Sequence, residues 1–341
     1  MSALRFAESI MRLPYWHTKH LHNNVENKRK KDYFNSMHLK DFEQIKDKIN
    51  TQYLFGSDSS LANLYLLKDV LNILCYQKND ILFRQYDFTD NIKGFAFPIS
   101  LNPDFTIEEV FEQFFKEINK NSDENIHFCY FTEEQKALFD KFLQKKGHSV
   151  EWNSKREDSD YLYLQSDLAD LPGSEYQKKR NHVSKFIKKH EKEYSFTYFD
   201  ASTITPKIKE DFVKVAKKWL CEFSGNIDNT VANESKSMEF AVNHLSSFDF
   251  FGGILYIKEK PRAITLASKI SEKVIDIHFE KCLSEAAKDG GYAMINNLFA
   301  KECKKYKYIN REEDLGIEGL RKAKLSYKPE IILDKYYGKL I

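Results

Sequence analysis

Three titratable side chains alternate with apolar ones in the second half of the chain. Asp276, His278 and Glu280 are separated by Ile277 and Phe279, and alternate residues of a β-strand share one face. On an edge strand that faces water, the three would be ordinary solvated groups. On a central strand that lines a cleft, Glu280 or His278 would be a candidate general base with a tuned pKa. The pattern leaves both interpretations open.

A glycine pair follows this strand and precedes a helical pattern. Residues 288–293 read Lys-Asp-Gly-Gly-Tyr-Ala, and they lead into a helix N-terminus, where free N–H groups and the helix dipole favour a phosphate. The spacing resembles the Q/R-x-x-G-x-G/A pyrophosphate loop of GNAT acyltransferases. Lys288, Gly291 and Ala293 take its three positions, with Lys in place of Gln or Arg. Lys288, Gly290, Gly291 and Ala293 are therefore candidate donor-binding residues.

A basic helix is predicted over residues 176–191. Arg180 falls on its apolar line, four residues after Tyr176 and three before Val183. A lone buried charge is costly, so Arg180 is expected either to pair with a protein carboxylate or to bind a substrate phosphate or carboxylate. The helix also has a strongly positive side, which is either a solvated face or a surface for a nucleic-acid backbone. Its lysines are Lys178, Lys179, Lys185, Lys188 and Lys189.

The densest pattern of polar residues lies at 308–329. Asp314 is predicted to be the N-cap of a helix that begins at Leu315. Asn310 and Glu313 have no such structural role, so we take both as candidate site residues, with Glu313 the second candidate base after Glu280. Gly316 and Gly319 weaken a short helix, which indicates that something packs closely against it.

Composition limits the kinds of protein that the chain can be. With 341 residues, 42% hydrophobic and 14% aromatic, it is long and apolar enough for about two folded domains. Its 53 Lys and Arg nearly balance its 51 Asp and Glu. The formal net charge of +2 therefore gives no reason to expect a polyanion binder from the whole-chain field, and any such site must be local.

Cysteine use and hydropathy bear on location. The five cysteines are widely spread and contain no C-x-x-C pair, which fits a reducing compartment. No apolar run approaches the ~18 residues of a membrane-spanning helix, and the start lacks the apolar core of a secretory signal. We therefore expect a cytoplasmic protein without a transmembrane segment, for which peripheral membrane contact stays open.

Residues 1–32 form a basic, His-rich tail in this interpretation. His17, His20 and His22 have spacings that could hold a metal, but no carboxylate or cysteine accompanies them. We predict no metal site and no permanently bound cofactor.

One order of elements occurs twice after the tail. A meander of antiparallel strands is followed by helix, strand, helix and strand, once in residues 33–165 and again in residues 166–341. This order predicts two mixed sheets with helices on both faces, an α+β fold of tandem GNAT-type domains. The second domain carries all the candidate residues named above.

Several motifs together resemble a bacterial family named after the C-terminal domain of phosphatidylglycerol lysyltransferase, also called the multiple peptide resistance factor. The resemblance covers residues 33–337. The motifs lie at residues 61–66, 171–181, 277–281, 310–316 and 324–329.

The resemblance implies a tandem GNAT fold related to the Fem-type aminoacyltransferases, which move an aminoacyl group from charged tRNA to an amine or hydroxyl. Lys179 and Arg180 would bind donor phosphate, and the glycine loop would hold a pyrophosphate or the tRNA end. Motif residues at further candidate pocket positions are Asn310, Arg311, Asp314, Lys324 and Tyr327. The lysyltransferase itself carries a membrane domain ahead of this region, and no membrane domain is predicted here. The resemblance therefore does not extend to a lipid acceptor.

The sequence thus predicts a soluble acyl- or aminoacyl-transferase with an amine or hydroxyl acceptor. Two alternatives remain. One is an acetyl-CoA-dependent N-acetyltransferase of a small amine, in which the Lys288 loop binds CoA. The other is a non-catalytic binding module that keeps the fold.

Overall fold

The computed structural model describes residues 37–68, 71–87, 93–121, 126–223 and 229–341, so the predicted tail lies outside the described residues. The chain divides into two compact units. The first unit comprises residues 37–160 together with Leu333–Ile341, and the second comprises Tyr161–Ile332. The predicted boundary at 165/166 is thus five residues from the division, but the last residues of the chain belong to the first unit.

The first unit is built on a mixed sheet with the order β1-β2-β3-β5-β14-β6, and β4 pairs with β2. β3 and β5 run parallel, as the predicted order requires. Its strands are β1 (Ile73–Lys78), β2 (Ile81–Asp87), β3 (Lys93–Phe95), β4 (Ile99–Ser100), β5 (His127–Phe131), β6 (Val150–Ser154) and β14 (Tyr336–Leu340). Its helices are α1 (Leu39–Ile45), α2 (Leu61–Leu67), α3 (Ile107–Asn121) and α4 (Glu133–Gln144).

Local sequence explains much of this unit. α4 begins with a capping box, in which the Thr132 hydroxyl accepts from the Gln135 N–H and the Gln135 side chain accepts from the Thr132 N–H. Behind the sheet, an aromatic core includes Phe111, Phe114 and Phe128, whose rings meet edge-on or tilted neighbours.

A strand from the far C-terminus completes the first sheet. β14 pairs antiparallel with β5 on one side and with β6 on the other. The prediction that residues 333–341 belong to the second domain is corrected by this pairing, because the strand's backbone hydrogen bonds all lie in the first sheet. The predicted strand text at 150–164 likewise divides between β6 of this sheet and β7 of the second.

The second unit contains a sheet with the order β13-β7-β12-β11-β10-β9-β8. Its strands are β7 (Asp160–Leu164), β8 (Tyr194–Phe199), β9 (Phe251–Ile257), β10 (Lys260–Ser271), β11 (Val274–Cys282), β12 (Tyr308–Asn310) and β13 (Ile331–Leu333). Its helices are α5 (Gln165–Asp170), α6 (Gln177–Lys189), α7 (Pro206–Phe223), α8 (Asn229–Asn243), α9 (Ser284–Ala287), α10 (Gly291–Glu302) and α11 (Glu318–Leu325).

The predicted three-strand meander is confirmed as β9, β10 and β11. Lys258 and Glu259 both have positive φ, as a two-residue type I′ hairpin between β9 and β10 requires. β12 then joins the sheet parallel to β11. Two mixed sheets of this order, each flanked by helices, make the chain a tandem GNAT-type α+β protein.

The junction of β11 and β12 positions the candidate residues. The two strands pair only from Val274 to Asp276, opposite Tyr308 to Asn310. β12 ends there, while β11 continues to Cys282. The strands therefore separate at the carboxyl ends of a parallel pair, where open α/β sheets commonly form a crevice.

Candidate active site

Glu280 and Arg311 face each other where β11 and β12 separate. One Glu280 carboxylate oxygen accepts from the Arg311 guanidinium at 2.8 Å, and the other accepts from the Asn296 side-chain amide at 3.1 Å. The side chains of Glu280 and Arg311 are 9% and 16% exposed. Glu280 thus lies on a central strand of the sheet and not on an edge strand that faces water, which excludes the first of the two sequence interpretations. Because both its oxygens accept hydrogen bonds, its contacts favour positioning Arg311 over acting as a base.

Two tyrosine rings surround the Arg311 guanidinium. Its central carbon lies 5.0 Å from the centroid of the Tyr327 ring and 5.7 Å from that of Tyr163, within the range of cation–π attraction. Tyr327 is held by its backbone, because the Tyr176 hydroxyl donates to the Tyr327 carbonyl at 2.9 Å. Cation–π contacts with the two rings therefore help to hold the guanidinium, and the backbone of Tyr327 is itself anchored.

Lys179 of α6 brings a second cation to the same place. Its ammonium lies 3.5 Å from the centroid of the Tyr327 ring. Burial, together with repulsion from Arg311, lowers the pKa of Lys179 to about 7, although the Glu280 carboxylate opposes this shift. A lysine with such a pKa is shared between its neutral and charged forms near neutral pH. Lys179, Glu280, Arg311 and Tyr327 are called the crevice cluster below.

The loop that carries Arg311 is held from behind by Lys324. The buried Lys324 ammonium donates to the backbone carbonyls of Arg311, Glu312 and Glu313. Glu312 has a φ of 56°, a left-handed conformation that is unfavourable for a side chain of this kind. The three hydrogen bonds stabilise this strained backbone and so fix the direction of Arg311.

Asp314 holds the other end of this loop. Its buried carboxylate accepts from the Arg321 guanidinium at 2.7 and 2.8 Å, from the Tyr161 hydroxyl at 2.5 Å and from the Gly316 N–H at 2.9 Å. The predicted N-cap role of Asp314 is wrong, because α11 begins at Glu318 and its N-cap is Ile317. The aspartate serves a tertiary ion pair instead, which keeps its pKa below the usual value despite burial.

A second group of titratable side chains lies beside the crevice cluster. His278 Nδ1 is 3.5 Å from Asp276 Oδ2 and 3.9 Å from Glu312 Oε1. On the other side of the ring, His278 Nε2 is 2.8 Å from the Ser268 hydroxyl. The sequence places Asp276 and His278 on one strand face, as found, but Glu280 turns to Arg311 instead of joining them.

The glycine loop is built into a helix pair. A Cβ on Gly290, which has a φ of 103°, would lie 2.5 Å from the carbonyl oxygen of His182 in α6. The N–H groups of Lys288, Asp289 and Gly290 donate to carbonyls of the preceding turn. These contacts account for Gly290 and for these three donors without a ligand. The first N–H groups of α10, which begins at Gly291, are not among them, so a phosphate at this helix N-terminus stays a prediction.

The loop's neighbours come from the basic helix. The Lys185 ammonium donates to the Lys288 carbonyl at 2.8 Å. The Asp289 carboxylate accepts from Lys189 at 2.7 Å and lies 3.0 Å from His190 Nε2. Lys189, on the positive side of α6, thus pairs with Asp289 of the glycine loop.

Arg180 has neutral partners. Its guanidinium donates to the carbonyls of Leu171 and Gly173 and to the side-chain oxygen of Gln177 at 2.7 Å. The expected salt bridge to a protein carboxylate is therefore not among these contacts, and the alternative, a substrate phosphate or carboxylate, stays a prediction. Leu171 has a φ of 50° and Gly173 one of 64°, and the arginine stabilises that turn.

Comparison with known proteins gives the family. The profile of the family "Phosphatidylglycerol lysyltransferase, C-terminal" matches residues 52–338. The chain belongs to this family. The profile runs across both units, so the family is defined by the tandem arrangement and not by one domain.

Two solved structures are similar over most of the chain. A conserved protein of unknown function from Bacteroides thetaiotaomicron is 29% identical, with a TM-score of 0.76 over 91% of this chain and 99% of that one. The C-terminal domain of the "Putative Lysylphosphatidylglycerol Synthetase" from Agrobacterium fabrum is 13% identical, with a TM-score of 0.57 over 88% and 91% of the two chains. The second likeness shows the fold alone.

A curated relative is an uncharacterized protein of Mycoplasmoides gallisepticum. It is 23% identical over an alignment of 204 residues, which covers 57% of this chain and 63% of the relative. The chain thus spans less than two thirds of that relative's length. Within the residues that the structure describes, none of the helices has the length and apolar character needed to cross a bilayer.

Only some of the residues of the family motifs lie together in the structure. Lys179, Glu280, Arg311 and Tyr327 come together in the crevice cluster, whereas Asp314 and Lys324 support the loop behind it. Asn310 is fully buried and its side-chain oxygen accepts from the Glu312 N–H at 2.8 Å. Glu313 contributes a carbonyl to Lys324.

Sequence reasoning missed several residues of this region. They are Tyr163, Ser268, Asn296 and Glu312. Each lies far along the chain from its partner, apart from Glu312, which the family motif contains without a role. An alternating strand pattern gives no signal for such contacts.

Proposed function

We propose that this chain is an acyltransferase that moves an aminoacyl group from aminoacyl-tRNA to an amine or hydroxyl acceptor. The observation that carries the proposal is the crevice cluster, in which Lys179, with a pKa near 7, lies with Arg311 where parallel strands separate. Transfer of an acyl group needs a base for the acceptor and a positive group for the oxyanion. Lys179 in its neutral form can supply the base, and the charged guanidinium of Arg311 can supply the positive group.

The proposed reaction starts with the acceptor's nitrogen or oxygen attacking the ester carbonyl of the aminoacyl donor. Neutral Lys179 takes the proton that the acceptor loses, and a new bond forms between acceptor and carbonyl carbon. The charged guanidinium of Arg311 stabilises the oxyanion of the tetrahedral intermediate. Collapse breaks the carbon–oxygen bond of the ester, and the leaving ribose hydroxyl receives the proton from Lys179.

Glu280 is assigned a positioning role in this scheme. Its carboxylate binds Arg311 and raises the proton affinity of Lys179, so it tunes both cations. This changes the sequence-based assignment, in which Glu280 was the first candidate base, Glu313 the second, and His278 a further candidate.

Two observations favour an aminoacyl-tRNA donor over acyl-CoA. The glycine loop uses the N–H groups of Lys288, Asp289 and Gly290 internally, whereas a pyrophosphate would need open donors. In addition, α6 presents exposed lysines beside the crevice, among them Lys178 and Lys188, which suit a nucleic-acid backbone. The name of the family, which refers to a lysyltransferase, is consistent with such a donor. We propose a cytoplasmic location, since charged tRNA is found there.

Single-turnover transfer tests the proposal. The protein is mixed separately with labelled aminoacyl-tRNAs and with labelled acetyl-CoA, and release and transfer of label are followed with phosphatidylglycerol vesicles or soluble amines as acceptors. We expect transfer from aminoacyl-tRNA that Lys179→Met abolishes. Lys214→Met is the control, because Lys214 is an exposed lysine of a different helix, α7. Transfer from acetyl-CoA alone, or none from either donor, contradicts the proposal.

A further inference from the structure

Three potential metal ligands converge beside the crevice cluster. Asp276, His278 and Glu312 each offer one ligand atom, and these atoms all lie within 4.8 Å of one another. The Asp276 and His278 side chains are 0% and 1% exposed, while Glu312 is 29% exposed. The group is therefore closed on the strand side and can be reached from the Glu312 side.

The distances in this group are too long for hydrogen bonds. His278 Nδ1 lies 3.5 and 3.9 Å from the two carboxylates, whereas N–H···O bonds span about 2.7–3.2 Å. Ligands that share a tetrahedral Zn²⁺ through bonds of about 2.1 Å are separated by about 3.4 Å. The two distances from His278 Nδ1 are close to this separation, and all three ligand atoms lie within 4.8 Å of one another.

Ser268 provides the outer contact that a metal-binding histidine usually has. In the tautomer whose proton is on Nε2, the ring donates to the Ser268 hydroxyl at 2.8 Å, and the Nδ1 lone pair faces the two carboxylates. Metal-binding histidines commonly donate their other N–H to such a partner. In the other tautomer, the Ser268 hydroxyl donates to Nε2 and an N–H faces the carboxylates, so a bound metal would select the first form.

We propose that Asp276, His278 and Glu312 bind one divalent transition-metal ion, with Zn²⁺ as the probe. Two carboxylates and a neutral imidazole balance the charge of a dication, and a mixed nitrogen and oxygen set suits Zn²⁺. Three protein ligands leave a fourth position open. The site goes beyond the proposed transfer reaction, and its ligand Glu312 adjoins Arg311, so the ion would also brace the loop that carries the guanidinium.

Metal binding by the full chain tests the proposal without an activity assay. The protein is dialysed against a chelator, then titrated with ZnCl₂ by calorimetry, and the bound metal is measured by elemental analysis. We expect Glu312→Gln and Asp276→Asn to weaken this binding at least about tenfold. Glu313→Gln is the matched control on the same loop, and it should bind like the wild type.

Two further controls make the metal-binding experiment decisive. Asp276 is fully buried, so its variant is used only if its thermal melting remains cooperative, whereas the partly exposed Glu312 tolerates substitution. His17, His20 and His22 in the N-terminal tail are replaced together by alanine, because they are the competing source of metal binding. The proposal fails if Zn²⁺ binds equally to wild type and Glu312→Gln, if none binds, or if only the triple variant loses the ion.

Discussion

The ammonium group of Lys179 lies over the Tyr327 ring, 3.5 Å from its centroid. The ring attracts the charged form of the lysine, but burial and the nearby Arg311 outweigh this attraction and lower the pKa to about 7. With this pKa, the neutral and charged forms of Lys179 are both populated near neutral pH.

The first prediction concerns the pH dependence of transfer. Lys179 accepts a proton only when neutral, so the single-turnover rate should rise as pH passes through about 7 and level off above it. Glu280→Gln removes the negative charge that raises the pKa of Lys179, so the rising limb should move to lower pH. A limb that stays in place in Glu280→Gln would assign the titration to another group.

The second prediction uses stability to measure the same shift. The pKa of Lys179 is about 7 in the folded chain and 10.5 in its unperturbed state. Between these values the unfolded state binds more protons, so wild-type stability should gain from rising pH. The Lys179→Met variant lacks this contribution. Its advantage in unfolding free energy over the wild type should therefore shrink from pH 7 to pH 10, as urea denaturation at both pH values would show.

The third prediction concerns Lys324. Lys324→Met leaves three carbonyls of the Arg311 loop without their donor, and an unsatisfied buried polar group costs about 1–3 kcal/mol. We expect a loss of about 3 kcal/mol in chemical denaturation and a slower transfer, because Arg311 loses its support. Lys322→Met is the control two residues away, since Lys322 is exposed and pairs only along its helix with Glu318. Equal effects of both variants would contradict the role of Lys324.

The fourth prediction separates packing from ligand binding at the glycine loop. Gly290→Ala combines a positive φ with a Cβ 2.5 Å from a backbone oxygen, so it should destabilise by more than the ~1–3 kcal/mol of backbone strain alone. Gly173→Ala shares the positive φ, but a Cβ there meets nothing within 4 Å, so strain is its only cost. Thermal melting of both variants with and without CoA checks this. Stabilisation of the wild type by CoA would reopen the loop as a pyrophosphate site.

The repeated order of elements was predictable because each helix and strand has a local period. The pairing of β14 with the first sheet was not predictable, since its partners β5 and β6 lie about two hundred residues earlier in the chain. α8 was not predicted either, because its Asn, Thr, Val and Ser residues are weak helix formers. Its existence depends on packing against α7.

The candidate site was likewise predictable only in part. Glu280 and Arg311 were both singled out, one by strand alternation and the other through the family resemblance, but their pairing across the β11–β12 separation depends on where β12 ends. Asp314 has the residue type of a helix cap, yet Arg321 and Tyr161 compete for its carboxylate and delay the helix to Glu318. Tertiary ion pairs of this kind override local preference.

The last prediction concerns the buried charges of the first unit. Lys335, only 3% exposed, lies 2.7 Å from an Asp160 carboxylate oxygen and 3.0 Å from the Ser57 hydroxyl. Asp160 also accepts from the Ser57 N–H at 2.6 Å. Removing one partner of a buried pair leaves the other charge uncompensated and costs about 3 kcal/mol or more.

Lys335→Met should therefore destabilise the first unit, and the loss should be greatest in β14, which follows Lys335 directly. Hydrogen exchange would show it as faster exchange of Tyr336–Leu340 than in the wild type. Lys339→Met is the control within the same strand, because Lys339 is exposed. The double variant Lys335→Met with Asp160→Asn should recover part of the loss, since it removes the stranded charge. If the two losses simply add, the ion pair does not anchor the exchanged strand.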